Sequence, residues 1–197
     1  MNTLPKIICF LFLLISVSAL NGQTHLGLKV GSMLTGIQSN NLKVDTRTSF
    51  HTGIFVTQAL GEKLDVQAEF RYSHERMENI QTFGTIHMNA QVLRLPIELV
   101  YKSLSFLEIH AGPSLGYKLN QTDEIVSLEG IIPTSFRMAE LAKWEAGIEL
   151  GTAVRLGSRN KIGIRFYQAL TPTARNDTFQ GRQFKLGVYL SSNLLKS

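Results

Sequence analysis

The sequence predicts an all-β protein, an eight-stranded antiparallel up-and-down transmembrane β-barrel. Three observations predict it: residues alternate between apolar and polar in eight segments, the connections between them alternate short and long, and the apolar face of each segment is free of charge. Successive side chains of a strand point to opposite faces, so a period of two marks strands and not helices.

The 197-residue sequence opens with one cation, Lys6, an apolar run from Ile7 to Ala19, and then Asn21, Gly22 and Gln23. This is the layout of a secretory signal peptide. The run is shorter than the ~20 residues a membrane-spanning helix needs, and no charge cluster follows it, which weighs against a retained anchor. Cleavage after Gly22 is favoured over cleavage after Ala19. The expected division is a signal peptide, 1–22, and one outer-membrane β-barrel domain, 23–197. Cys9, the only cysteine, lies inside the apolar run, so the exported chain has no thiol for a disulfide, a zinc site or a nucleophile. After Ala19 no apolar stretch suffices for a membrane helix, so any crossing must be made by strands.

The first strand carries Leu26, Leu28 and Val30 against Gly27, Lys29 and Gly31, and the second Thr52, Ile54 and Val56 against His51, Gly53 and Phe55. The third is the clearest, with Leu64, Val66, Ala68, Phe70 and Tyr72 opposing Asp65, Gln67, Glu69, Arg71 and Ser73. In the fourth, Leu93, Leu95, Ile97, Leu99 and Tyr101 oppose Arg94, Pro96, Glu98 and Val100. The fifth sets Leu107, Ile109, Ala111, Leu115 and Tyr117 against Glu108, His110, Gly112, Ser114 and Gly116. The sixth runs from Trp144 to Arg155, with Ile148 and Leu150 facing away from Glu145 and Glu149. The seventh alternates Ile162, Ile164 and Phe166 with Gly163, Arg165 and Tyr167, and the eighth Phe184, Leu186, Val188 and Leu190 with Lys185, Gly187 and Tyr189.

Short connections at 60–63, 102–105 and 157–160 have hairpin-turn composition, while those at about 35–49, 75–85, 120–142 and 171–181 are long. Short turns at one end and long loops at the other are the pattern of outer-membrane barrels, with the turns periplasmic and the loops outside. Within the third long loop, Arg137 to Lys143 is a candidate helical turn. Pro96 and Pro113 fall inside strands, where each removes a ladder hydrogen bond and predicts a bulge or irregular pairing.

Alternation alone does not separate a membrane barrel with a polar interior from a lipocalin-like soluble barrel binding an apolar ligand. Charge decides for the membrane, because a Lys or Arg facing lipid at mid-depth costs about 2–4 kcal/mol and the apolar faces carry none. The polar faces mix both signs with glycine, and an eight-stranded barrel is only wide enough inside for side chains to fill it. Glu69, Arg71, Arg94, Glu98, Glu145, Glu149, Arg155 and Arg165 are therefore expected to form a structural ion-pair network in the lumen. Phe50, Tyr72, Tyr101, Tyr117 and Trp144 near strand ends match interfacial aromatic girdles.

Ser49-Phe50-His51-Thr52-Gly53-Ile54-Phe55, Gly61-Glu62-Lys63-Leu64 and Gln67-Ala68-Glu69-Phe70-Arg71-Tyr72-Ser73 resemble the PorT-like outer membrane protein β-barrel domain family of diderm bacteria. Leu93-Arg94-Leu95-Pro96-Ile97, Ala111-Gly112-Pro113-Ser114-Leu115-Gly116-Tyr117 and Arg165-Phe166-Tyr167-Gln168-Ala169-Leu170 resemble its later strands. The resemblance spans nearly all of 23–197 and implies small porin-like barrels, with roles in secretion, gliding or surface contact. It also implies handling by the barrel-insertion machinery, which usually reads a terminal aromatic. Here Leu190 is followed by Ser191 to Ser197, leaving Phe184 or Tyr189 for that purpose.

No catalytic, cofactor-binding or metal-binding set is expected. Ser73 and His74 are adjacent on a strand and so point to opposite faces, the wrong geometry for a nucleophile and its base. Glu145 with Glu149, and Glu69 with Glu98, are carboxylate pairs, but the arginines on the same surface make neutral ion pairs the better reading. His25, His51, His87 and His110 lack metal-ligand spacing. Lys and Arg number 20 against 15 Asp and Glu, but they are scattered, so nucleic acid is not an expected partner. The expected partners are outer-membrane lipid, the assembly machinery and an envelope protein met through the loops. The expected function is that of a non-enzymatic outer-membrane structural or interaction barrel. The alternatives are an outer-membrane lipid-modifying enzyme and the soluble lipocalin-like barrel.

Overall fold

The computed structural model describes residues 23–39, 45–81, 84–127, 130–133, 142–172 and 181–196. The expected signal peptide, residues 1–22, lies outside them, as do residues 137–141 of the candidate helical turn. Nine strands follow in chain order: β1 (Thr24–Ser39), β2 (Asp45–Ala59), β3 (Leu64–Gln81), β4 (Gly84–Lys102), β5 (Leu107–Ser127), β6 (Gly130–Pro133), β7 (Trp144–Leu156), β8 (Asn160–Ala169) and β9 (Gly181–Lys196).

Eight of them form a closed antiparallel ring, in which each strand pairs with the next and β9 returns to β1. The ninth, β6, pairs only with the far end of β5 and lies outside the ring. Closure satisfies the backbone, since lipid offers no partner to an unpaired amide or carbonyl.

The register fixes the barrel's dimensions. Trp144 pairs with Tyr117, and the same row runs through Leu93, Tyr72, Thr52, Val30, Leu190 and Ile162. Ile162 in turn pairs with Val154, ten residues along β7 from the starting Trp144. With ~3.3 Å per residue along a strand and ~4.8 Å between strands, a stagger of ten over eight strands tilts them by about 40° and gives a radius of about 8 Å. Such a cylinder holds side chains and little else.

Burial follows the alternation, inverted relative to a water-soluble barrel. Val30, Ile54, Leu99 and Ile164 are each more than half exposed, whereas Lys29 and Glu69 are 1% exposed and Glu149 is 0%. The apolar residues face outward and the charged ones inward, which excludes a lipocalin-like interior.

Three tight turns close the lower end, at 60–63, 103–106 and 157–159. Gly157 takes a φ of 78°, which a side chain would strain, and so turns β7 back into β8. At the upper end the strands run farther than the hydrophobic pattern predicts. Residues 35–39, 45–49, 75–81, 84–85, 120–127 and 130–133, all expected in long loops, are paired strand, and only residues 82–83 separate β3 from β4.

The reason is a change of phase. Within the ring, β3 and β4 direct Leu64 to Tyr72 and Tyr101 to Leu93 outward. Above that level His74, Arg76, Gln91 and Asn89 point outward, while Met77, Met88, Ala90 and Val92 are buried. The strands leave a membrane-type environment and continue as an ordinary sheet with its polar side outward.

Neither proline produces a bulge. The register between β4 and β5 is the same on both sides of Pro113, and that between β3 and β4 the same on both sides of Pro96, but two residue pairs are missing from each ladder there. Each missing amide is absorbed as a local gap. The register shifts lie elsewhere, near Leu26, Phe50 and Val92.

Candidate functional site: the charged lumen

The alternation places one ionic side chain after another on the inner wall, and neighbouring strands bring opposite signs together. At mid-height the Lys29 ammonium on β1 donates to Glu69 on β3 at 2.8 Å. The same carboxylate accepts from Arg71 Nε at 2.7 Å and from Arg165 Nη2 on β8 at 2.9 Å. Arg71 also reaches across the lumen to Glu149 on β7, donating through both terminal nitrogens at 3.2 and 2.9 Å. Arg165 Nε lies 3.2 Å from Glu149 and its Nη2 3.7 Å from Glu98. Glu98 accepts from Gln67 at 3.1 Å and faces His110 Nδ1 at 3.4 Å. These contacts join six strands across the interior.

A second cluster sits above the first. Arg94 donates to Glu145 at 2.8 Å, and the Tyr167 hydroxyl donates to the same oxygen at 2.7 Å. Glu75 accepts from Lys185, from Gln183 at 3.0 Å and from the Ser73 hydroxyl at 3.0 Å, with Arg94 3.6 Å away. A third cluster lines the lower mouth, where Glu108 meets Arg155 at 2.8 Å and Lys161 at 2.7 Å, and Asp65 meets Lys102 at 2.7 Å. Asp65, Lys102, Arg155 and Lys161 border a polar cavity of about 390 Å³ that opens at the turn end of the barrel.

Rings fill the remaining width. Lys29 lies 4.7 Å from the Tyr189 ring centroid and 5.3 Å from that of Phe55, and Arg94 lies 4.2 Å from that of Tyr167. Cations over aromatic faces are favourable where water is excluded. The rings fit because glycine stands beside them. A Cβ on Gly27 would come within 2.3 Å of Phe55, one on Gly147 within 2.4 Å of Tyr167 and one on Gly163 within 2.5 Å of Tyr189.

Within the central and upper clusters, Lys29, Arg71, Arg94, Arg165 and Lys185 face Glu69, Glu75, Glu98, Glu145 and Glu149, five charges of each sign, while the buried Glu108 and Asp65 pair with the cations of the mouth. An unpaired charge here would cost several kcal/mol, and a neutral set avoids that penalty. The eight residues singled out from the sequence divide among the clusters. Glu69, Arg71, Glu98, Glu149 and Arg165 share the central one, Arg94 and Glu145 the upper, and Arg155 the mouth, where its side chain is 39% exposed. Sequence reasoning set Lys185 on the charged inner face but left out its partner Glu75, and the two together anchor the upper cluster. Glu75 fell in a segment read as loop, although its spacing from Arg71 and Ser73 continued the inner face.

Among the described residues, each carboxylate of the three lumen clusters has a cation within 4 Å. Ser73 is buried and donates to Glu75, while His74 lies on the other face of β3. Among the described residues, no three His, Cys, Asp or Glu side chains are grouped to hold a metal ion.

The architecture has relatives among solved structures. Ail, the attachment invasion locus protein of Yersinia pestis, is similar with a TM-score of 0.53 at 7% sequence identity, covering 89% of this chain and 100% of that one. Neisserial surface protein A is similar with a TM-score of 0.52 at 11% identity, covering 88% and 100% respectively. At these identities the likeness is one of fold. No curated protein matches the sequence. The profile of a family described as "Outer membrane protein beta-barrel domain" matches residues 18–175, and with that match over most of its length the chain belongs to the outer membrane protein β-barrel domain family.

Proposed function

We propose that this protein is a non-enzymatic, PorT-like envelope protein, exported with removal of residues 1–22. Its rigid barrel holds the upper strand ends and connections against an envelope or surface partner. The observation that carries the reading is the neutral plug of five cations and five carboxylates filling a cylinder of about 8 Å radius. A body closed in this way is unsuited to passing solutes, and its cation-paired carboxylates are unsuited to acid–base chemistry. What it offers is stiffness, with β3, β4 and β5 continuing above the apolar band.

Planar-bilayer recording tests the closed body: the refolded protein should insert without producing steps of single-channel conductance. Sustained open steps would overturn the plugged-lumen reading. Mass spectrometry of lipid A from cells with and without the gene tests the enzymatic alternative, and an acyl-chain difference that depends on the gene would establish it. Pull-down of a defined envelope protein, lost when residues 120–142 are replaced by a short turn, would support the contact role.

A further inference from the structure

The outward face of β3, β4 and β5 changes character at one level. Tyr72, Leu93 and Tyr117 form a paired row, and Trp144 adjoins it with its ring 4.6 Å from that of Tyr117. The next outward row pairs His74 with Gln91 and Gln91 with Asn120, and the row above pairs Arg76 with Asn89 and Asn89 with Thr122. These six side chains border a surface depression of about 290 Å³. They point sideways from the barrel, in the direction that lower down faces acyl chains.

The donors and acceptors of this depression are open. Among the described residues, the side chains of His74, Arg76, Asn89, Gln91 and Thr122 make no hydrogen bond or ion pair, and Asn120 only accepts the Gln121 amide at 2.9 Å. The position decides what lies opposite them. Aromatic rings mark the boundary between hydrocarbon and headgroups, so a polar surface directly above them faces the headgroup layer of the outer leaflet.

The composition narrows the chemistry. One exposed guanidinium suits a phosphate, which it can engage through two parallel bonds. Three amides, an imidazole and a hydroxyl suit sugar hydroxyls, which both donate and accept. Tyr72, Leu93, Tyr117 and Trp144 below provide a surface for the attached acyl chains. A phospholipid headgroup would engage Arg76 but leave most of the other five groups unused. We infer that this depression binds the phosphorylated sugar headgroup of an outer-leaflet glycolipid. The inference rests on the membrane reading of the barrel.

The test uses the full exported chain reconstituted in phosphatidylcholine vesicles alone, with added lipid A, or with phosphatidylglycerol at matched phosphate charge. Thermal unfolding is followed as each anionic lipid is titrated. Lipid A should raise the unfolding temperature at lower mole fraction than phosphatidylglycerol. In Arg76→Ala the mole fraction needed should rise about tenfold, and in Gln91→Ala about threefold, as expected for losing a charge-assisted and a neutral hydrogen bond. Both positions face outward, so both variants should keep the heat-modifiable gel migration of the folded wild type. Equal responses to the two anionic lipids, or an unchanged response in Arg76→Ala, would overturn the site and leave the barrel reading intact. Failure of the wild type to insert into any vesicle would overturn both.

Discussion

Adjacent residues on β7 have opposite requirements. Ile148 points to lipid, while Glu149 is fully buried between Arg71 and Arg165. Ile148→Arg should block assembly, since a cation at mid-depth costs about 2–4 kcal/mol and has no partner there. Glu149→Gln should still fold, because the amide oxygen keeps one hydrogen bond, but with reduced resistance to urea. Gel-shift assays of heat-modifiable migration report both outcomes, and equal loss of folding in the two variants would refute the assigned faces. The pair at Lys29 and Glu69 allows a cleaner measurement. Removing one member of a buried pair typically costs about 3–5 kcal/mol by stranding the other charge. Lys29→Met and Glu69→Gln should each lower the urea midpoint, and the double variant, which is neutral again, should lie above the sum of the two losses. Strict additivity in this cycle would mean that the two groups are not coupled.

At the scale of strands, small residues and rings are matched across the ladder. Gly163 pairs directly with Tyr189, and a Cβ there would sit 2.5 Å from the ring. Gly163→Ala should destabilise the barrel by about 1–3 kcal/mol, the usual cost of overpacking, and Tyr189→Leu in the same chain should restore part of it. Unfolding in urea measures both, and a neutral effect of the single change would show that the ring has room to move. The existence and facing of all eight ring strands were legible in the sequence because lipid enforces charge-free outward rows, as on β3 from Leu64 to Tyr72. Their upper ends were not. Beyond Tyr72 the apolar residues move to the inner face, at Met77 on β3 and Met88, Ala90 and Val92 on β4, so a reader following one apolar face loses the strand where it changes solvent. Glu75 was missed for the same reason. The prolines were legible as irregularities, but their type was not, because a missing amide is tolerated by a gap in the ladder as readily as by an inserted residue.

For the whole molecule, the inverted distribution of polarity makes the fold conditional on its surroundings. Leu, Ile, Val and Phe side chains cover the exterior, and several are half exposed or more. The chain without residues 1–22 should remain unfolded or aggregate in aqueous buffer, and should fold when supplied with detergent micelles or lipid vesicles. Circular dichroism together with gel migration before and after heating checks this, and a folded monomer in plain buffer would contradict it. Closure of the ring has a further consequence at the join between β1 and β9. Strand β1 is completed only by β9, so any length of this chain that stops short of β9 carries two unsatisfied margins of amide and carbonyl groups. Where Val30 is paired with Leu190 the ring is complete, and no margin remains there for a neighbour to extend.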